Sequence, residues 1–475
     1  MASSNTHPDD LFIDGVWEPG EDAIEVTDLA DGGTFTRIAA ADAAAARTAL
    51  SAAERAERSL RETTIVQRAR WLDDIADRLE ARREDLAEVI VREAGKPVSS
   101  ARSEVDSAVE RFRRAVEEAH SIDGEYLEGS TDGHEGWQAI VKPEPIGTVL
   151  CISPYNYPLA TTVLQVAPAL AAGNSVILKP ASKTPVSGAI LAECIAGSDV
   201  PDGAFNFVPG RGSEIGDLLA GDDRINAIAM TGSSRAGEHV ARESGMVNLH
   251  MELGGNAPAI VFPDADLATV TEACTAGSLK YAGQRCSAVS RVLAHGAVHD
   301  ELVDRIDAEM DDWTQGDLFD EETDFGPLIS EDQAEWVDEL VTDAVDRGAT
   351  LVRGGDREGR TYEPTLLADI PHDARILTEE QFGPVVAVTS FEDEAEAIEL
   401  ANAGNLALDA SVFTSSYDRA LDVAERVDAG GVRINGAPSH GLGDLPFGGN
   451  KGSGIGREGL GKTIEEFLRY KTIVL

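Results

Sequence analysis

The chain has 475 residues, 42% of them hydrophobic, with 85 acidic against 40 basic side chains and a formal net charge of −45. That balance excludes nucleic acid as a partner, which needs clustered lysine and arginine, and the length exceeds one ordinary core, so two or three domains are expected. The four cysteines (Cys151, Cys194, Cys274, Cys286) show neither CxxC nor metal-ligand spacing, so the reading is a reducing cytoplasm with no disulfide framework and no metal.

In chain order, MASSNTHPDDLFIDG has neither a basic start nor an apolar segment, so no signal peptide is expected. No apolar run approaches the ~18–20 residues of a membrane-spanning helix, so no membrane partner is expected either. Residues 38–120 are rich in Ala, Glu and Arg at helical spacing, as in VQRARWLDDIADRLEARREDLAEVIVREAG, with Gly95 as a C-cap. EYLEGSTDGHEGWQAIVKPEPIG carries a hairpin signal. GTVLCIS, NSVILKP, INAIAMTG and APAIVF are apolar runs, each followed by a small-residue turn and a helical stretch. Such alternation predicts a parallel sheet covered on both faces. A second series after Gly254 (SRVLAHG, TLVRGG, VVAVTSF, ASVFTSS, GGVRIN) predicts a second α/β domain. FLRYKTIVL reads as a terminal strand with no partner in its own neighbourhood, and the absence of a low-complexity linker predicts tightly joined domains. The acids are dispersed and only eight of the 40 cations are lysine. That composition resembles proteins of salt-loaded cytoplasms and predicts stability that rises with KCl.

Three residues stand out chemically. Cys286 follows Arg285 in KYAGQRCSAVSR, among neighbours (Gly283, Ser287, Ala288) too small to bury it deeply. A thiol of ordinary pKa, ~8.5, needs activation at neutral pH; the alternative is a small buried sulfur. Glu252 in MELGGN ends an apolar strand, where open α/β sheets place their sites, unless it is a solvated loop carboxylate. Asn156 in ISPYNYPLA lies just past a strand, with an amide able to donate to an oxyanion or to cap a turn.

Taken together, SPYNYP, LKPASKTP, FNFVPGRGSEIG, MTGSSRAGE, MELGGNAPAIVFPDADL, GQRCSA, EEQFGPV and LPFGGNKGSGIGRE occupy roughly residues 140–460 in an order that resembles the aldehyde dehydrogenase superfamily. The resemblance implies a Rossmann-like cofactor domain (1–122 and 144–253), an α/β catalytic domain (254–462) and a β-hairpin oligomerisation arm (123–143 and 463–475) that builds a homodimer or homotetramer. It implies that Cys286 attacks an aldehyde, Asn156 and the Cys286 N–H hold the oxyanion, and Glu252 activates the water that hydrolyses the thioester. Lys179 would serve both the oxyanion network and the nucleotide ribose. Cofactor contacts are implied for Ser153, Pro154, Tyr155, Lys179, Ser182, Lys183, Gly212, Gly216, Thr231, Gly232, Ser233, Leu253, Gly254, Glu380 and Phe382. Ser182 stands where NAD-preferring members often hold a glutamate, and with Lys183 beside it NADP is expected, NAD being possible.

Arg285 and Tyr157 resemble the phosphate-binding pair of the non-phosphorylating glyceraldehyde-3-phosphate dehydrogenase branch. Arg111 or Arg113 falls where that branch brings a further arginine; the C-terminal arginine of the branch has only Lys462 in its place. A guanidinium fork suits phosphate or carboxylate. Glyceraldehyde 3-phosphate is therefore the expected substrate, with lactaldehyde, a carboxylated semialdehyde such as succinate or 2-oxoglutarate semialdehyde, and a catalytically silent relative as alternatives.

Overall fold

A computed structural model describes residues 7–439 and 441–475; the first six residues of the expected cofactor domain lie outside the described residues. Two sheets dominate. The first has eight strands in the order Val16–Glu18, Leu11–Ile13, Phe205–Phe207, Ser175–Lys179, Thr148–Ile152, Ile225–Thr231, Asn248–Glu252, Gly454–Ile455. Its five central strands are mutually parallel, and the chain winds outward in both directions from Thr148–Ile152. The reversal places a crevice between the carboxyl ends of Thr148–Ile152 and Ile225–Thr231, the switch point at which doubly wound sheets bind ligands. TVLCI and SVILK are buried almost throughout, as strands covered on both faces must be. One cover is the helix Ala160–Ala172, apolar all round and buried on nearly every side. The helix Val98–Ala119 packs against it, with Ile65–Ala81 behind.

The second sheet has seven strands, ordered Thr350–Arg353, Thr365–Ala368, Val385–Phe391, Val289–His295, Ala257–Val261, Asp409–Phe413, Gly431–Ile434. All but the first run parallel. APAIVF, read from the sequence alongside the first series, lies inside this second sheet, between Val289–His295 and Asp409–Phe413. The chain leaves the first sheet at Glu252 and enters the second at Ala257, so Leu253–Asn256 is the crossing between them. Further along, Gly454–Ile455 returns to pair antiparallel with Met251 and Glu252.

Residues 38–40, expected within the helical region, instead close the strand Thr34–Ala40, because the helix Ala43–Arg61 starts only at its Asp42 cap. The terminal strand Leu468–Val474 does have a partner in its own chain: it pairs antiparallel with Gln138–Pro145, which pairs in turn with Glu125–Glu128. This three-stranded sheet stands apart from the other two. Among the described residues no helix is long and apolar enough to cross a membrane.

Candidate active site

After the helix Leu267–Leu279, three successive residues adopt left-handed backbone, Tyr281 at φ 57°, Ala282 at φ 50° and Gly283 at φ 68°. Non-glycine residues held there store strain, and such strain gathers at functional sites. The surroundings hold the turn in place. The buried Tyr281 hydroxyl donates to Ala94 O at 2.7 Å, and a side chain at position 283 would stand 2.0 Å from Gly383 O. The turn delivers Cys286, half-buried, into a cavity of about 710 Å³.

Of the two expected partners, one borders the Cys286 loop and the other shares its cavity. Asn156, buried just past the strand Thr148–Ile152, donates its Nδ2 to Gln284 O at 2.9 Å, which ties its turn to the loop that carries Cys286. Glu252 lines the same cavity as Cys286. It is 2% exposed, and neither carboxylate oxygen has a hydrogen-bond partner among the described residues. Burial, with the charge of Glu458 adding to it, holds its pKa well above the usual carboxylate range. The Cys286 thiol is likewise pushed up, first by burial and then by Asp409, Glu380, Glu252 and Glu458, so the resting sulfur keeps its proton. Gly255 accounts for the second glycine of MELGGN: a Cβ there would lie 2.1 Å from Cys286 O, so only glycine lets the crossing pass Cys286 so closely.

The residues expected at a cofactor gather around the switch point. Ser153 follows Thr148–Ile152, its buried hydroxyl without a hydrogen-bond partner among the described residues. Pro154 adjoins it, and Tyr155 lies edge-on to Phe382, with centroids 5.9 Å apart. Phe382 is itself left-handed, at φ 49°. Lys179 ends the next strand, buried and outside the Cys286 cavity. Among the described residues its ammonium donates only to Pro180 O at 3.4 Å, and burial lowers its pKa to about 8. Ser182 Oγ donates to Gly210 O at 3.0 Å; Lys183 is exposed, facing Asp332 and Arg360. A Cβ at Gly212 or Gly216 would meet open space. Thr231 ends Ile225–Thr231 and accepts from Gln165 Nε2 at 3.1 Å, Gly232 N donates to Glu252 O, and the Ser233 side chain caps the helix Ser234–Glu243. Leu253 packs under Gly237 of that helix. Glu380 Oε1 accepts from Gly255 N at 2.8 Å beside Gly254, and burial raises its pKa to about 7. An unpaired buried ammonium, a helix N-terminus, open glycine edges and a buried acid fit a dinucleotide.

The cavity wall beyond Cys286 is cationic. Arg111 Nη1 donates to Ala160 O at 2.8 Å and Arg285 Nη2 to Gly277 O at 2.5 Å. The Nε of each is buried without a hydrogen-bond partner among the described residues. Tyr157 lines the same wall. Arg113 does not: two residues on from Arg111 it points to the opposite side of the helix, where it pairs with Glu80 at 2.6 Å and Asp77 at 3.4 Å. Lys462 pairs with Glu465 at the exposed surface.

Sequence reasoning missed a buried pair in this wall. The Lys96 ammonium bonds Glu104 and lies 3.5 Å from the Tyr157 ring centroid and 4.6 Å from that of Tyr281. Glu104 also accepts from Leu159 N and Ala160 N, at the start of the helix Ala160–Ala172. Its position was a usable signal, since Glu104 falls on the apolar stripe with Ala101, Val105 and Ala108.

Comparison with known proteins agrees with this geometry. The aldehyde dehydrogenase family model matches residues 17–473. NADP-dependent glyceraldehyde-3-phosphate dehydrogenase of Streptococcus equinus is 36% identical, covering 98% of both chains. A non-phosphorylating aspartate-semialdehyde dehydrogenase of Halomonas elongata is 37% identical, covering 97% of this chain and 94% of its own. The crystal structure of NADP-dependent glyceraldehyde-3-phosphate dehydrogenase from Bacillus halodurans, complexed with NADP, superposes with a TM-score of 0.96 at 36% identity over 98% of both chains.

Proposed function

Because the chain belongs to the aldehyde dehydrogenase family, we propose that it oxidises glyceraldehyde 3-phosphate to 3-phosphoglycerate with NADP. The observation that carries this reading is the cavity itself: a cysteine and a buried, unbonded acid share it with two guanidiniums that make no ion pair among the described residues, in a chain of net charge −45.

The Cys286 thiol gives its proton to solvent, and its sulfur adds to the aldehyde carbon. The Asn156 amide and the Cys286 backbone N–H hold the resulting oxyanion, each such donor being worth about 10²–10³ in rate. NADP, when bound, supplies the hydride acceptor. Lys179 and Glu380 would hold its ribose hydroxyls and Ser233 with Gly232 its pyrophosphate. Ser182, standing where a glutamate would repel it, and Lys183 would admit a 2′-phosphate. Loss of hydride from the thiohemiacetal leaves a thioester on Cys286. Glu252 takes a proton from water, which attacks that thioester and releases the acid with return of the sulfur. The division at the 252–257 crossing into a cofactor and a catalytic domain, a cytoplasmic setting and assembly through the three-stranded arm belong to the same proposal. A carboxylated semialdehyde is the second reading, favoured by the 37% identity to an aspartate-semialdehyde dehydrogenase.

NADPH formation measured with glyceraldehyde 3-phosphate, succinate, aspartate and 2-oxoglutarate semialdehydes, lactaldehyde and glyceraldehyde tests this in high KCl. The phosphorylated triose is expected to give kcat/KM at least about tenfold above the others, the value of one charge-assisted contact. A semialdehyde or lactaldehyde turning over as well or better rejects the triose phosphate. No turnover of any aldehyde rejects the enzyme.

A further inference from the structure

Lys280 belongs to none of the roles assigned above, yet it stands at the mouth of the Cys286 cavity, directly after the helix Leu267–Leu279. Lysine is rare in this chain. Four of the eight (Lys96, Lys142, Lys451, Lys462) pair with acids, but Lys280 makes no ion pair among the described residues. The charge acting on it is a like charge, that of Arg285, which joins partial burial in holding its ammonium below the usual lysine range. A lysine left beside an arginine, in a protein with 85 acids to choose from, lacks a counterion of its own.

A second observation lies on the facing helix, Val98–Ala119. Ser99, Ser103, Ser107 and Arg111 recur at every fourth residue and so form one stripe. All four line this cavity, from exposed Ser99 and Ser103 at the mouth to half-buried Ser107 and Arg111 further in. Of the acids in the wall, Glu104 is matched by Lys96 and two backbone N–H groups, Glu252 and Glu458 act on the Cys286 thiol, and the charges of Glu458 and Glu104 also reach Arg111 but not Lys280. On the side of the Val98–Ala119 helix the approach from solvent thus presents hydroxyls and cations, while Leu442 and Leu445 line the cavity as well.

We infer that Lys280 is the third cation, with Arg111 and Arg285, of a subsite for a doubly charged head group, and so a specificity-determining residue. The inference rests on reading the Cys286 cavity as an aldehyde site. A carboxylate is matched by a single guanidinium fork, whereas a phosphomonoester carries about 1.5 to 2 negative charges near pH 7 and leaves charge for a third partner.

The test compares wild type, Lys280→Met and Lys280→Arg as full-length proteins. Steady-state kinetics with glyceraldehyde 3-phosphate, succinate semialdehyde and uncharged glyceraldehyde are paired with calorimetric titration by 3-phosphoglycerate, a readout independent of turnover. Lys280→Met is expected to raise KM for the phosphorylated aldehyde about tenfold with kcat kept. It should weaken 3-phosphoglycerate binding to a similar degree, change succinate semialdehyde less and leave glyceraldehyde unaltered; Lys280→Arg should restore most of the loss. An equal loss with glyceraldehyde, or unchanged 3-phosphoglycerate affinity in Lys280→Met, overturns the inference. If wild type oxidises none of the three while 3-phosphoglycerate binding still depends on Lys280, the anion subsite stands and the aldehyde reading falls.

Discussion

Glu252 combines two properties that fit a base better than a structural acid: its carboxylate oxygens are buried, and they make no full hydrogen bond among the described residues, the Glu458 backbone N–H being the one donor that acts on them. A structural carboxylate in such a place would bond backbone N–H groups, as Glu104 does. Burial raises the Glu252 pKa, and a general base works only when ionised. Turnover limited by thioester hydrolysis should therefore rise with pH through that raised pKa and then level off. Glu252→Gln removes the base without removing Cys286 or Asn156. Rapid mixing is expected to show a burst of about one NADPH per subunit, followed by a steady rate lower by about 10²–10⁴. Loss of the burst along with the steady rate would place Glu252 before thioester formation. Cys286, Glu252 and Asn156 were legible in the sequence because each sits in a short motif next to an apolar strand or a small-residue turn. Lys280 and the Lys96–Glu104 pair were not, because their meaning depends on what faces them, and the facing groups come from remote parts of the chain.

The strands were legible where continuous apolar runs made them so, and illegible where pairing alone defines them. Gly454–Ile455 has no strand signal in GGNKGSGIGRE; it exists because Asn248–Glu252 offers a free edge. The arm is a mixed case, since FLRYKTIVL reads as a strand but its partner Gln138–Pro145 could not be assigned from local sequence. Tyr126 (56%), Trp137 (51%) and Tyr470 (58%) leave this sheet unusually exposed, and large exposed aromatics mark interaction surfaces. If the arm assembles subunits, Tyr470→Asp should weaken assembly at least about tenfold, the scale of an aromatic hot spot. Light scattering over a dilution series checks this, with circular dichroism to confirm folding. Wild type that stays monomeric at high concentration removes the arm's assigned role.

Across the whole molecule, charge sets the terms. Many arginines pair with acids at the surface, as Arg78 does with Asp74 and Arg305 with Glu301, but such exposed pairs contribute only about 0–1 kcal/mol each and salt weakens them. Net repulsion from −45 charges is the larger effect, and it falls as the screening length shrinks from about 10 Å at 0.1 M to about 3 Å at 1 M salt. The melting temperature is therefore expected to rise by several degrees between dilute buffer and molar KCl, followed by tryptophan fluorescence; a fall would show that the surface ion pairs outweigh the repulsion. By itself the sequence determined the α/β class, the order of most strands, the charge regime and the three side chains proposed to react, because these depend on local periodicity, composition and short motifs. The tertiary structure decided which sheet received Ala257–Val261, which of Arg111 and Arg113 faces the cavity, and that Lys280 stands there with no ion pair among the described residues. Those are matters of orientation and of contact between distant segments, fixed only when the two sheets close around Leu253–Asn256.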